Sequence, residues 1–256
     1  MKNTETTMPT FSQTDLLVAQ SFSRLTFRWE EVRRYWKFSL AGLERMKPAL
    51  ENSLVETLAW GARQPGFLKC TPEEFLRICT ETGVGKIADD NMSSFRSTLE
   101  CSCLVFLHAE LELALIELFK VISISAPERI LPDVPKDKLL EQNARGRLYK
   151  ACRGFDFGLS LPEKIEKLHE VLGKNFDRNS EAAKELEHFD QIRHDVVHRP
   201  GSIAVPGFDT GQETFREWGK QCWMLVLKEL RLKMDSEAVK AVMTGEAVAD
   251  RSATLR

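Results

Sequence analysis

The sequence predicts an all-α protein built as a helical bundle, and three observations support that prediction. Apolar residues recur at spacings of three and four in the stretch 104–122, whereas alternating strand patterns are few. Thr-Pro-Glu-Glu at 71–74 and Leu-Pro-Glu at 161–163 are typical helix starts. The Pro-Gly pair at 200–201 is a typical helix stop.

The elements are predicted from these signals in chain order. We expect a disordered tail over residues 1–12 and then a helical stretch over 15–64 with a break at Pro48. The Gly83-Val84-Gly85 segment is expected to be a turn. The other predicted helices cover 71–81, 93–125, 138–151, 161–173, 181–198 and 213–233, with a short one after 235. The predicted division is an N-terminal helical extension at 1–92, a bundle at 93–233 and a C-terminal tail at 234–256.

The helix predicted over 93–125 is apolar on most of its circumference. One stripe comprises Leu104, Leu107, Leu111, Ala114, Leu115, Leu118 and Ile122, and the opposite side carries Val105, Phe106, Leu113 and Ile116. Such a helix is buried on both sides. It is therefore expected to be central in the bundle or shared with a second subunit. The charged residues within the stretch argue against a membrane span.

Composition excludes several classes of protein. The net charge of −2 over 256 residues is not that of a protein that coats nucleic acid through a generally basic surface. RNA contact would need a local patch, for which the basic segment 136–153, including Arg153, is a candidate; a solvated helix face is the alternative. The spacing of the six cysteines predicts neither a disulfide framework nor a zinc site. Residues 1–15 are polar and do not resemble a signal peptide, so we expect a cytoplasmic location.

Arg193 is the most unusual residue of the predicted helix 181–198. At about 100° per residue, it falls inside the apolar arc of that helix. A guanidinium keeps its charge, so burial there requires a carboxylate, a phosphate or a wet cleft. Asp190, His194 and His198 lie along one edge of the same arc, and the two histidines are neighbours at a spacing of four.

Three interpretations of this cluster remain open on spacing alone. In the first, Arg193 pairs with an acid of the long helix, Glu110 or Glu117, and the histidines cap the helix end. In the second, His194 and His198 bind a metal ion, since their spacing permits it. In the third, the cluster is a site for RNA, where arginine binds phosphate and histidine transfers protons near neutral pH.

The segment 189–201, FDQIRHDVVHRPG, resembles the HEPN superfamily of helical, RNase-like domains. Members are identified by an arginine, four to six further residues and a histidine near the end of a helix. Arg193 and His198 fit with four residues between them, and His194 follows the arginine as a polar residue does in the family. The likeness covers about 93–233 and is greatest to the RiboL-PSP HEPN subgroup.

The resemblance implies an up-and-down helical bundle of HEPN type that cleaves RNA without a metal or cofactor, in a toxin or antiviral defence role. It also implies a homodimer, and an antitoxin or defence protein as a further partner. Arg193 would bind phosphate, His198 would transfer protons and His194 would orient the substrate or assist. We assign substrate contacts to Arg199, Asp190 and Arg153. Many members are catalytically silent, so a dimeric interaction or RNA-binding module is the alternative function.

Overall fold

The structure, a computed structural model, describes residues 10–62, 71, 73–74, 77, 81, 83–198, 208–245 and 248–249. The predicted all-α class and helical bundle are confirmed, since nearly all of these residues are helical. The described strands are two-residue segments, β1 (Thr10–Phe11) and β2 (Val248–Ala249), which pair in parallel. Within the described residues, no helix has the length and apolar character needed to cross a membrane.

The N-terminal half begins with helix α1 (Gln13–Ser23), a π-helical segment (Arg24–Arg28) and helix α2 (Trp29–Ala62). The expected disordered tail is wrong for residues 10–12, because β1 is paired and the Ser12 hydroxyl caps α1 by accepting from the Asp15 N–H at 3.1 Å. The expected break at Pro48 is also wrong. Pro48 is exposed, so water can satisfy the carbonyl that its missing N–H leaves free, and α2 continues through it.

Helix α3 (Val84–Ser125) is the central element of the fold. It begins nine residues before the predicted start. Val84 and Gly85, which were predicted to form a turn with Gly83, lie within the helix. The predicted stripe is confirmed, with Leu107, Leu111, Leu118 and Ile122 fully buried. On the opposite side Ile116 is buried, but Phe106 remains 60% exposed and Leu113 42% exposed. One chain therefore covers most of α3 and leaves part of its apolar surface open.

The remaining described helices follow α3 in the chain. They are α4 (Pro127–Ile130), a 3-10 turn (Lys136–Lys138), α5 (Gln142–Phe157), α6 (Leu161–Val171), α7 (Glu181–His198), α8 (Phe208–Leu230) and α9 (Ser236–Thr244). Helices α1, α2 and α8 pack against α3, and α5 joins it through the stacked rings of Phe119 and Phe155, 4.1 Å apart.

The N-terminal and C-terminal segments pack together rather than standing apart. Phe11, Leu16 and Ala19 form a second apolar cluster with Ala238 and Val239 of α9. Helix α3 also runs without interruption across the predicted boundary between residues 92 and 93. The division at residues 92 and 233 stays a prediction about sequence segments.

Candidate active site at the end of helix α7

Local sequence sets the position of α7. The Ser180 hydroxyl accepts from the backbone N–H of Ala183 at 3.2 Å, and Glu181 lies in the first turn, where a negative charge favours the helix. The buried face comprises Ala183, Leu186, Phe189 and Ile192. The described part of the helix covers Glu181–His198, the range predicted for it, and the predicted Pro-Gly stop at 200–201 lies outside the described residues.

The environment of Arg193 bears on the first interpretation, in which this residue pairs with an acid of the long helix. Its side chain is half-buried on the apolar arc, and its Nε is buried without a hydrogen-bond partner. None of the described carboxylates lies within ion-pairing distance of its guanidinium. The expected pairing with Glu110 or Glu117 is therefore wrong. A cation in this position still needs an anion or water.

Glu110 and Glu117 of α3 instead pair with an arginine from the N-terminal part of the chain. Arg24, in the π-helical segment, donates from Nε to Glu117 at 2.9 Å and from Nη1 to Glu110 at 2.8 Å. Burial raises the pKa of the Glu117 carboxyl, and the charge of Arg24 opposes that rise. The Arg24 pair thus ties the π-helical segment to α3 and leaves neither acid for Arg193.

The other predicted site residues are only partly brought together. His194 is exposed, one residue after Arg193. Asp190 does not project freely toward solvent, because its Oδ1 lies 2.7 Å from Nε2 of His108. His198 is the last residue of α7 and its side chain, like the whole of Arg199, lies outside the described residues. Arg153 is exposed on α5, a helix that packs chiefly against α3 and α4 rather than against α7.

A buried polar chain adjoining the site was missed by sequence reasoning. It consists of Asp190, His108, Glu112 and Lys164, from helices α7, α3 and α6. His108 and Lys164 each fall inside the apolar stripe of their own helix. The argument that singled out Arg193 applies to both residues, and it could have identified them.

A nucleophilic thiol or a bound metal ion would be another basis for catalysis. Burial raises the pKa of Cys103 to about 11 and that of Cys222 to about 12, so these thiols are protonated at neutral pH. A search of the described part of the chain finds no group of three or more His, Cys, Asp or Glu side chains that could hold a metal ion. The His194 and His198 pair stays untested as a ligand pair, since the His198 side chain is outside that part.

Comparison of the chain with protein-family models, with curated proteins and with solved structures finds no match.

Proposed function

We propose that this protein is a metal-independent endoribonuclease of HEPN type, active in a toxin or antiviral defence role. The observation that supports it is the state of Arg193. This guanidinium is half-buried on an apolar arc and its Nε has no hydrogen-bond partner among the described residues. The two acids predicted to pair with it, Glu110 and Glu117, pair with Arg24 instead. A fixed fork of donors without a carboxylate suits the oxygens of a phosphodiester.

The chemistry uses groups of the RNA itself. The 2′-oxygen attacks the adjacent phosphorus, a bond forms between them, and the bond from phosphorus to the 5′-oxygen breaks. One proton leaves the 2′-hydroxyl and one is delivered to the departing 5′-oxygen, which leaves a cyclic phosphate. His198 transfers protons and Arg193 stabilises the charge on the phosphate, with His194 orienting the substrate. Arg199 and Arg153 are proposed contacts to flanking phosphates.

The protein is proposed to act as a homodimer through the open side of α3. Phe106 and Leu113 lie on one face of that helix, and both remain exposed in a single chain. A second copy would cover them in an interface of about 1,600 Å² in total. Light scattering should give a dimer for the wild type and a monomer for Phe106→Glu. The matched variant Phe38→Glu alters an exposed phenylalanine of α2 and should remain dimeric. A monomeric wild type contradicts the proposal, and dissociation by Phe38→Glu alone moves the interface to α2.

A catalytically silent interaction or RNA-binding protein is the second candidate function. Tyr35, Phe38, Met46 and Trp60 share one side of α2, and each is more than half exposed. Apolar surface of this extent on a soluble protein is typical of a contact with a partner. An antitoxin or another defence protein is the proposed occupant of that surface.

Cleavage of RNA by matched variants tests the first candidate. Purified wild type, Arg193→Ala, Arg193→Lys and His198→Ala are incubated with single-stranded RNA in EDTA, and the product ends are analysed. We expect cyclic phosphate ends from the wild type and a loss of about 100-fold or more in each of the three variants. Lysine should not rescue, because a point charge replaces a fork of donors. His188→Ala changes an exposed histidine of the same helix and should retain wild-type cleavage.

Three outcomes would contradict the proposal. Folded Arg193→Ala and His198→Ala proteins with wild-type cleavage would refute the assigned site. Loss of wild-type cleavage in EDTA, restored by zinc or magnesium, would refute the metal-independent mechanism. A wild type that binds a partner but never cuts RNA would establish the interaction function instead.

A further inference from the structure

A chain of four charged or polar side chains crosses three helices beside the candidate site. Nε2 of His108 lies 2.7 Å from Oδ1 of Asp190, and its Nδ1 lies 3.9 Å from Oε2 of Glu112. The other oxygen of Glu112 accepts from Nζ of Lys164 at 2.5 Å, and Nζ also donates to the Leu159 carbonyl at 2.7 Å. The chain therefore joins α7 to α3 and α3 to the start of α6.

The inner members of this chain are removed from water. His108 is 2% exposed and Lys164 is 1% exposed, whereas Asp190 and Glu112 each keep about a quarter of their side-chain surface. Well-packed apolar residues often stabilise a core no less than a buried ion pair does. What polar groups add is direction, since each hydrogen bond fixes the angle and distance of its partners.

The ring of His108 is held in one orientation. Phe215 of α8 meets it edge to face, with ring centroids 5.7 Å apart, and also packs on Phe189 of α7. A carboxylate can only accept, so Nε2 carries the proton and donates it to Asp190. Nδ1 is buried without a hydrogen-bond partner and faces Glu112. The ring nitrogen that makes the hydrogen bond is thus the one that faces α7.

The position of Asp190 connects this chain to the proposed site. Arg193 and His194 follow it by three and four residues, so the three side chains are neighbours on one side of α7. The hydrogen bond from Nε1 of Trp218 to the Ala182 carbonyl fixes α7 two turns earlier, at its other end. The bond from His108 is therefore a polar contact from α3 to the turn from which Arg193 and His194 project.

We infer that His108 is a positioning residue: by holding Asp190 it fixes the C-terminal turns of α7, so that Arg193 and His194 address the same phosphate. Glu112, which is bound by Lys164, lies on the other side of the ring, 3.9 Å from its Nδ1. This inference rests on the proposed ribonuclease function for its effect on catalysis, but not for its effect on α7. His108 itself touches neither the proposed substrate nor a reacting atom.

Two substitutions separate a positioning role from a packing role. His108→Leu fills the space and removes the donor, whereas His108→Gln carries an amide N–H near the position of Nε2. Val239→Ala, a truncation in α9 remote from α7, controls for a general loss of stability. Each folded protein is measured for cleavage of a labelled single-stranded RNA and for amide hydrogen exchange over residues 190–198.

We expect His108→Leu to lower kcat by about 10-fold or more, since small displacements of a catalytic group are costly. KM should change by less than about 3-fold, because ground-state contacts to RNA remain. Exchange over 190–198 should accelerate by about 10-fold or more in His108→Leu. His108→Gln should recover both quantities to within about 3-fold of wild type, and Val239→Ala should leave both near wild type.

The outcomes distinguish this inference from the proposed function. If the wild type does not cleave RNA, the proposed function fails and exchange over 190–198 alone decides the inference. Unchanged exchange over 190–198 in folded His108→Leu overturns the inference whatever the activity does. So does a failure of His108→Gln to recover, because packing and not the donor would then be what matters.

Discussion

Replacing Glu112 by leucine would leave the ammonium group of Lys164 in the protein interior without its counter-charge. Lys164 is 1% exposed, and its remaining described partner would be the Leu159 carbonyl. Removing one member of a buried pair costs about 3–5 kcal/mol, because the other member stays buried and uncompensated. We expect about 3 kcal/mol for Glu112→Leu, at the lower end, since the site of the 28% exposed Glu112 side chain can admit water.

The reverse substitution should cost less, and the difference comes from exposure. Lys164→Met leaves the Glu112 carboxylate, which already reaches solvent and can be hydrated. We expect a loss of about 1–2 kcal/mol for this variant, the usual cost of a polar group that loses its partner. In the double variant no charge is left unpaired. It should lie within about 1 kcal/mol of wild type, so the two substitutions should be strongly non-additive.

Urea denaturation followed by circular dichroism measures the three free energies of unfolding. The control is Lys167→Ala, which breaks an exposed ion pair with Glu170 at 2.7 Å and should cost less than about 1 kcal/mol. The reasoning is refuted if Glu112→Leu costs no more than the Lys167 control. It is also refuted if Lys164→Met costs more than Glu112→Leu, because exposure then would not set the order.

Three further predictions concern the scaffold. Gly219→Ala should cost about 1–3 kcal/mol of stability, since a Cβ there would overlap the Leu25 side chain. Gly146→Ala, on open helix surface, should stabilise the protein by about 0.5–1 kcal/mol. Thermal unfolding of both variants tests this prediction, and equal effects would contradict it. The backbone N–H and hydroxyl of Ser160 lower the pKa of Glu163, because both donate to its carboxylate. The stability that these bonds add is complete above the ordinary pKa of 4.5 and is lost as the pH falls through the lowered pKa. Glu163→Gln should therefore lose less stability than wild type on acidification, and parallel urea midpoints for the two proteins from about pH 6 to 3 would count against it. Burial lowers the pKa of His169, so its contribution is complete above the ordinary value of 6.5 and is lost as the pH falls through the folded pKa. His169→Phe should flatten the decline in stability below pH 6.5, and an unchanged slope would show that this histidine does not cause it.

The elements that sequence reasoning located best are those with local signals at their ends. Helix α6 begins at the predicted Leu161, where Ser160 and Glu163 form a reciprocal cap, and α7 covers its predicted range. At 71–74 the same type of cap is present, because the Thr71 N–H donates to Glu74 at 3.0 Å and the Glu74 N–H donates to Thr71 at 3.2 Å. The break predicted at Pro48 was wrong because a proline's effect on a helix depends on whether water reaches the carbonyl that it leaves without a hydrogen bond.

The same distinction between local signals and tertiary packing applies to the candidate site. Placing Arg193 inside an apolar arc needed only the helical period, and the structure keeps it there. Naming its partner required knowing which helix lies opposite, and the acids chosen from sequence belong to Arg24, 86 and 93 residues away. The bond between His108 and Asp190 spans 82 residues and had no local signal.

The sequence by itself determined the fold class, the positions of most helices and the faces on which their apolar and polar residues lie. Those properties depend on neighbours within a few residues, through caps, period and chain stiffness. The tertiary structure alone decided which charges pair, that Glu110 and Glu117 belong to Arg24, and that Phe106 and Leu113 stay exposed. Ion pairs and burial are set by how whole helices pack, and many packings are compatible with the same local pattern.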